Sequence, residues 1–223
     1  MVSVIVLVGT HTFLPLLAEK MVARNVQEGM GLRERPEVEL QSDPAPAILA
    51  GMFSGGRISL GDADLGDVRV KRVVVNLDPF DLDMTESVMA GALTSDEPLS
   101  GTLRAEVSEV EISRFTKAQD IELKEGRVLV ISEAQVLGFD VPVSIQGSLV
   151  LRDGALIFEP RRMWTLGTPA PGELREQLLA RGAFSYPLRG LPHEVEITGV
   201  EVSENRLILS GEVERVPMKH QSS

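Results

Sequence analysis

Val141-Pro-Val-Ser-Ile-Gln-Gly-Ser-Leu-Val-Leu-Arg-Asp-Gly-Ala-Leu-Ile-Phe-Glu159 is the stretch that decides the fold. Apolar residues or glycine occupy every second position from Val141 to Leu151. The polar residues between them are Ser144, Gln146 and Ser148. Because side chains alternate between the two faces of a strand, this spacing predicts a strand with one buried face. Asp153-Gly154 predicts a tight hairpin turn, since these residues readily adopt the positive φ angles of a type I′ turn, and Ala155 to Glu159 is the return strand.

Strand patterns recur on both sides of this hairpin. They are Pro36–Gln41, Arg57–Leu60, Asp67–Leu77, Gly101–Val107, Glu194–Val202 and Arg206–Val213. The buried phase slips by one residue at Lys71-Arg72, which predicts a β-bulge, and Gly61 to Asp67 is a predicted turn rich in Gly and Asp. The last two strands flank Glu204-Asn205 and predict a second hairpin. We expect at least eight strands in all, mostly antiparallel.

A helical pattern precedes the strands. Apolar residues recur at helical spacing from Leu14 to Met30, Pro15 suits a first turn and Gly31 suits a stop. These features predict a long N-terminal helix over Phe13–Met30. Shorter helices are predicted at Ser87–Leu93, Val110–Ala118 and Glu173–Leu179. The predicted fold class is therefore α+β, with a long N-terminal helix packed along a curved, mostly antiparallel β-sheet.

The first residues differ in composition from the rest. No Asp, Glu, Lys or Arg occurs from Met1 to Ala18, but the apolar run is interrupted at Gly9 and is shorter than the roughly 20 residues of a membrane span. We interpret residues 1–12 as an apolar leader, the remnant of a signal sequence or a short anchor. A buried first strand or helix is the alternative. Residues 13–217 are expected to form a single domain, and 218–223 a mobile tail.

Composition excludes several classes of function. The chain has no cysteine, which rules out thiolate catalysis, disulfides and cysteine-ligated metals. Its formal net charge of −11 repels a polyanion, and aromatic residues make up only 4%, so we expect no nucleic-acid partner.

Catalytic motifs are also missing from the sequence. Only His11, His193 and His220 could serve as histidine bases, and the chain has no Gly-x-Ser-x-Gly elbow and no phosphate-binding glycine loop. Two acidic groups have a spacing that calcium would tolerate, although solvated turn acids are the simpler interpretation. They are Asp62, Asp64 and Asp67, and Asp78, Asp81 and Asp83. We predict a protein that is not an enzyme and has no cofactor and no metal.

The apolar faces of the predicted strands and of the predicted N-terminal helix supply more aliphatic side chains than polar groups that could hold a ligand. A packed core explains any one of them, but a long helix on a bent sheet also leaves room for an elongated slot. Such a slot binds apolar ligands by burial, at roughly 25 cal/mol per Å². The residues predicted to line it are Met21, Val75, Leu77, Val143, Ile145, Leu149 and Phe158.

The order of motifs resembles that of the LmeA-like family of phospholipid-binding bacterial envelope proteins. The matching stretches are Leu17-Ala-Glu-Lys-Met-Val-Ala23, Gly56-Arg-Ile-Ser-Leu60 with Val68 to Leu77, Gly147 to Pro160, Tyr186-Pro-Leu-Arg-Gly-Leu-Pro192, Ile197 to Val202 and Leu207 to Gly211. The resemblance implies a tubular lipid-binding-like fold with a strongly curved sheet, and an extracytoplasmic location. It also implies phospholipid or another apolar ligand as the partner, with a membrane surface as a further one.

Two alternatives remain open. An envelope scaffold or adaptor would have a fully packed core and would bind a protein partner through an exposed edge or patch. A hydrolase would need His193, or the pair Asp81 and Asp83, to lie in a cleft.

Overall fold

The computed structural model describes residues 18–28, 32–43, 47, 50–83, 86–87, 89, 95, 97–116, 120–136, 139–170, 172 and 184–214. The predicted leader (1–12), the predicted tail (218–223) and the helix predicted at Glu173–Leu179 lie outside these ranges, as does most of Ser87–Leu93. The limits of the predicted 13–217 domain therefore stay a prediction.

The elements in chain order are α1 (18–28), β1 (Glu37–Gln41), β2 (Met52–Phe53), β3 (Gly55–Leu65), β4 (Val68–Leu77), β5 (Phe80–Asp81), β6 (Gly101–Ser108), α2 (Glu109–Thr116), β7 (Asp120–Lys124), β8 (Arg127–Val136), β9 (Phe139–Arg152), β10 (Ala155–Thr165), β11 (Thr168–Pro169), β12 (Phe184–Pro187), β13 (Val195–Ser203) and β14 (Arg206–Val213). The fold is mostly antiparallel β with few helices, which agrees with the predicted α+β class.

The strands form two six-stranded sheets where one curved sheet was predicted. The first has the order β1-β3-β4-β6-β14-β13. The second has the order β11-β10-β9-β8-β7, and β12 pairs with the first half of β10. A small ribbon of β2 and β5 is separate from both. The prediction of one sheet was wrong because strand pairing is non-local, whereas alternation reveals only that a strand has a buried face.

The predicted long N-terminal helix is not shown. The described helix α1 covers residues 18–28, eleven residues, against Phe13–Met30 expected. Its buried face consists of Ala18, Val22, Ala23 and Val26. The amide of Asn25 on the same side donates a hydrogen bond to the Met21 carbonyl at 2.9 Å.

The predicted phase change at Lys71-Arg72 is confirmed, because both side chains are exposed between buried Val70 and Val73. The bulge inferred from it was wrong. β3 and β4 keep one register from the pair Gly56–Leu77 to the pair Leu65–Val68, and β3 changes its buried face at the same level. The predicted turn at Gly61–Asp67 is also corrected, since β3 continues to Leu65. The whole hairpin turns its other face to the core, as a strongly twisted hairpin does.

Bulges do occur in β10 and β13, where they keep apolar side chains inward. The register shifts between Pro160 and Arg162, so β10 buries Phe158 before the shift and Met163 after it. A similar shift lies between Ile197 and Gly199 in β13. Because a bulge bends its strand and increases the local twist, each sheet has a built-in bend.

The core lies between the two sheets. One cluster of buried side chains contains residues of α1, of both sheets and of α2. The hairpin turns also join the sheets, because the Gly126 N–H donates to the Val202 carbonyl at 2.9 Å and the Asn205 N–H donates to the Leu123 carbonyl at 3.1 Å.

Candidate functional site

Six of the seven residues predicted to line a slot are buried together. The large core cluster between the two sheets includes all six of them: Val75, Leu77, Val143, Ile145, Leu149 and Phe158. Met21, by contrast, is half-buried on α1, and its neighbour Val22 reaches the cluster instead. The structure thus brings the predicted strand residues into one interior, but as core side chains that contact other core side chains.

An apolar gap lies in this interior, between the two sheets and α2. Its volume is about 10 Å³, far below the roughly 300–1,000 Å³ of a typical ligand pocket. Lining side chains come from β4, β6, α2, β9, β10, β12 and β14: Val68, Val107, Ile112, Leu149, Leu156, Phe184, Tyr186, Leu207 and Leu209. A space of this size and lining is expected to be dry. An acyl chain enters it only if these side chains move apart.

Two phenylalanines pack beside the gap. Phe158, which is fully buried, stacks on Phe184 with ring centroids 5.1 Å apart and an interplanar angle of 16°. Leu149, which faces Phe158 across the β9–β10 pair, is the predicted site residue that borders the gap directly.

Polar groups surround Tyr186, which lines the same gap. Burial raises the pKa of its hydroxyl, and the nearby carboxylates of Asp67 and Glu111 raise it further, against a smaller opposing effect of Arg189. Glu111 is itself buried and accepts a hydrogen bond from Arg114 at 2.8 Å. The Asp67 N–H donates to the Arg189 carbonyl at 3.1 Å, which fastens the β3–β4 turn to the segment after β12.

Tyr186 is the only tyrosine of the chain, so its titration is directly observable. We expect its tyrosinate absorbance in the folded protein to appear above the ordinary pKa of about 10. A pKa raised by folding contributes stability that is complete below about pH 10 and is lost as the pH rises through the folded value. A spectrophotometric titration with and without urea measures both values. A folded pKa equal to or below the unfolded one would contradict this environment for Tyr186.

A much larger groove lies on the outer face of the second sheet. Its volume is about 490 Å³, and its lining combines cations, one carboxylate and apolar side chains. We call it the outer groove and define it by Glu122, Lys124, Arg127, Leu129, Pro142, Ser144, Gln146, Trp164, Leu166 and Gly167. None of these was predicted as a site residue. Ser144 and Gln146 were correctly placed on the outer face, but strands β7 and β8 were not predicted.

A depression beside β2 and β5 has a volume of about 430 Å³. Phe53 and Phe80 stack in it with centroids 5.0 Å apart, and Asp43, Asp81 and Glu97 surround them. Its acidic rim is unfavourable for a phosphate group.

Of the residues considered for hydrolysis, Asp81 lines the depression beside β2 and β5, whereas Asp83 and His193 are not among its lining residues. Asp83 accepts a hydrogen bond from the Glu86 N–H at 2.8 Å, and His193 is exposed in the turn before β13. Asp62 and Asp64 of the first acidic group lie on strand β3. Among the described residues, no three His, Asp or Glu side chains are grouped so that they could hold a metal ion.

The sequence model of a family described as LmeA-like phospholipid-binding matches residues 9–212, nearly the whole chain. No curated protein and no solved structure matches significantly. Within the described ranges, no helix is long and apolar enough to cross a membrane.

Proposed function

The chain belongs to the LmeA-like phospholipid-binding family, and from this premise we propose that it binds a phospholipid without catalysing its conversion. In this proposal the acyl chains enter the interior between the two sheets. The protein acts on the extracytoplasmic side of a bacterial membrane, held there by the leader, and it shuttles lipid. The apolar gap carries the proposal, because all nine of its lining residues are aliphatic or aromatic and they come from both sheets.

The lining of the gap itself is apolar. Its lining presents aliphatic carbon and aromatic rings, so an entering acyl chain replaces side-chain contacts with equivalent apolar contacts. Six predicted residues surround or extend this interior: Val75, Leu77, Val143, Ile145, Leu149 and Phe158. We propose that they contact the lipid in the open state, with Met21 at the edge on α1.

Two hydrogen bonds near Tyr186 join the β3–β4 hairpin to its neighbours. The Asp67 N–H bond to the Arg189 carbonyl joins the β3–β4 turn to the segment after β12. A second, longer contact runs from the Arg69 N–H to the Glu111 carboxylate at 3.4 Å. Each such bond contributes only about 1 kcal/mol net, so separating the β3–β4 tip from its neighbours is compatible with a stable fold.

A second candidate function is an adaptor that binds a protein partner. The small volume of the gap favours it, since a filled interior is what that hypothesis predicts. The two candidates differ in one measurable property, the uptake of lipid by the purified chain.

Filling the gap tests the interior site. We expect the double variant Val68→Ile, Val107→Ile to take up phospholipid about tenfold more weakly, because two added methylenes occupy space that the acyl chain needs, at about 0.8 kcal/mol each. Uptake is measured with a pyrene-labelled phosphatidylcholine transferred from donor vesicles. Because the gap is smaller than two methylenes, overpacking is expected to cost this variant about 1–3 kcal/mol of stability, as in the control below.

The matched control is Val128→Ile, Val130→Ile, in which two buried valines of the same core lie outside the gap. Overpacking is expected to cost this control about 1–3 kcal/mol of stability but to leave uptake near the wild-type level. If the wild type takes up lipid and the two double variants do not differ, the interior site is wrong. If the wild type takes up none, the proposed function fails.

A further inference from the structure

The outer groove opens beside the β10–β11 hairpin, whose turn is Leu166-Gly167. We infer that this groove and turn form a docking surface for a phospholipid bilayer, with Leu166 inserted among the lipids. The inference stands apart from the interior site, because it concerns attachment of the protein to a membrane and not the storage of a lipid molecule.

The turn residue itself is the first observation. Leu166 and Gly167 have φ values of 50° and 77°, so both central residues occupy the left-handed region. The comparable β9–β10 turn fills its first position with Asp153 at φ 51°, and Asn205 has φ 59° in the β13–β14 turn. Asp and Asn tolerate this conformation, whereas a leucine there is strained.

Packing does not explain the strained leucine, because the residue is 75% exposed. A large apolar side chain that is held in a strained conformation and pointed into water is unfavourable in the free protein on both counts. A bilayer removes the second cost by burying the side chain. A leucine at position 166 therefore lowers the stability of the turn but can contact an apolar phase.

Neighbouring side chains match the chemistry of a bilayer interface. Trp164 precedes the turn and lines the groove half-buried, and Pro142 and Leu129 extend the apolar surface on β9 and β8. Tryptophan favours the level of the lipid headgroups, where its ring is in an apolar region and its N–H meets polar groups.

Charge supports the same occupant. Lys124 and Arg127 lie at the β7–β8 end of the groove, where Lys124 pairs with Glu122 at 2.8 Å. The groove therefore carries two cations and one carboxylate, in a chain whose net charge is −11. With the exposed Glu125 of the β7–β8 turn included, this end of the groove is electrically neutral, so lipid phosphates meet less repulsion here than over the acidic remainder of the chain.

Vesicle flotation of the full chain tests the inference. With vesicles of phosphatidylcholine and phosphatidylglycerol, we expect Leu166→Asp to weaken binding at least about tenfold, because it places a charge in the inserted tip. The matched control is Val110→Asp, since Val110 is also a strongly exposed aliphatic residue, at 67%, but lies on α2. This control should bind within about twofold of the wild type.

A second variant separates docking from folding. Leu166→Asn suits the left-handed turn, so it should unfold at a higher urea concentration than the wild type and yet bind vesicles at least about tenfold more weakly. Trp164, the only tryptophan, reports the contact directly, and brominated phosphatidylcholine in the vesicles should quench its fluorescence. The inference is overturned if the wild type does not float with vesicles, or if the two aspartate variants weaken binding equally. It is also overturned if Leu166→Asn binds vesicles at the wild-type level, or if Trp164 of vesicle-bound protein stays unquenched. Uptake of the pyrene-labelled lipid, measured in parallel, distinguishes a protein that no longer docks on vesicles from one that has lost the interior lipid site.

Discussion

Replacement of Phe158 by alanine is expected to lower the free energy of unfolding by about 3–5 kcal/mol. Among the described residues, Phe158 is the largest of the fully buried side chains, with 0% exposure. Its ring stacks on Phe184 and lies against β9, so its removal leaves a cavity that joins the existing gap. The surrounding strands are held by hydrogen bonds on both sides of β10 and cannot collapse into that space without breaking register.

Urea unfolding followed by circular dichroism measures this loss. The control is Phe80→Ala, because Phe80 is also a stacked phenylalanine but is only half-buried, in the small β2–β5 ribbon. Its loss should be less than half as large. A loss at Phe158 below about 1.5 kcal/mol, or equal losses at both positions, would contradict the central place of Phe158 in the core.

A side chain at position 147 is expected to be almost as damaging. A Cβ added to Gly147 would lie 2.6 and 2.7 Å from two ring carbons of Phe158 and would also clash with the Glu159 carbonyl. Gly147→Val should therefore cost about 3 kcal/mol or more, because backbone and ring are both fixed and neither can move aside.

Gly61→Val on β3 is the matched control, since nothing lies within 4 Å of a Cβ there. This substitution should be neutral or slightly stabilising, because glycine in a strand is unfavourable by about 0.5–1 kcal/mol. A double-mutant cycle with Phe158→Ala adds a specific test. The losses of Gly147→Ala and Phe158→Ala should sum to more than the loss of the double variant, because removing the ring relieves the clash with its two carbons. Strict additivity would mean that the ring and the glycine are not coupled.

Hairpins with local turn chemistry were predictable from the sequence. Asp153-Gly154 is the predicted positive-φ turn, and β9 buries Val143, Ile145 and Leu149 on the face that alternation assigned to the core. Strand β7 does alternate, with Ile121 and Leu123 buried, but it has only five residues. Strand β8 was missed for a physical reason. In Arg127 to Ile131 apolar residues follow one another, because Val128 and Val130 face the core while Leu129 lines the outer groove. A strand that is apolar on both faces shows no alternation, so it cannot be told from a buried helix by periodicity.

The candidate sites were less predictable. Inward orientation of Leu149 and Phe158 follows from alternation, but alternation cannot tell the lining of a cavity from a packed core. The outer groove is built on strands β7 to β11, which pair in chain order, as Glu122 does with Leu129 and Ser144 with Trp164. It was missed because β7 and β8 were not predicted. Strain at Leu166 depends on a backbone angle that the dipeptide Leu-Gly does not specify.

Native mass spectrometry of the intact chain is the most direct test of phospholipid binding. The protein would be incubated with vesicles of phosphatidylethanolamine and phosphatidylglycerol, reisolated by size exclusion and sprayed without denaturation. We predict a species heavier by one phospholipid, retained by Val128→Ile, Val130→Ile and depleted in Val68→Ile, Val107→Ile. A wild-type chain that carries no phospholipid after incubation with excess lipid would contradict the account and favour the protein-binding adaptor.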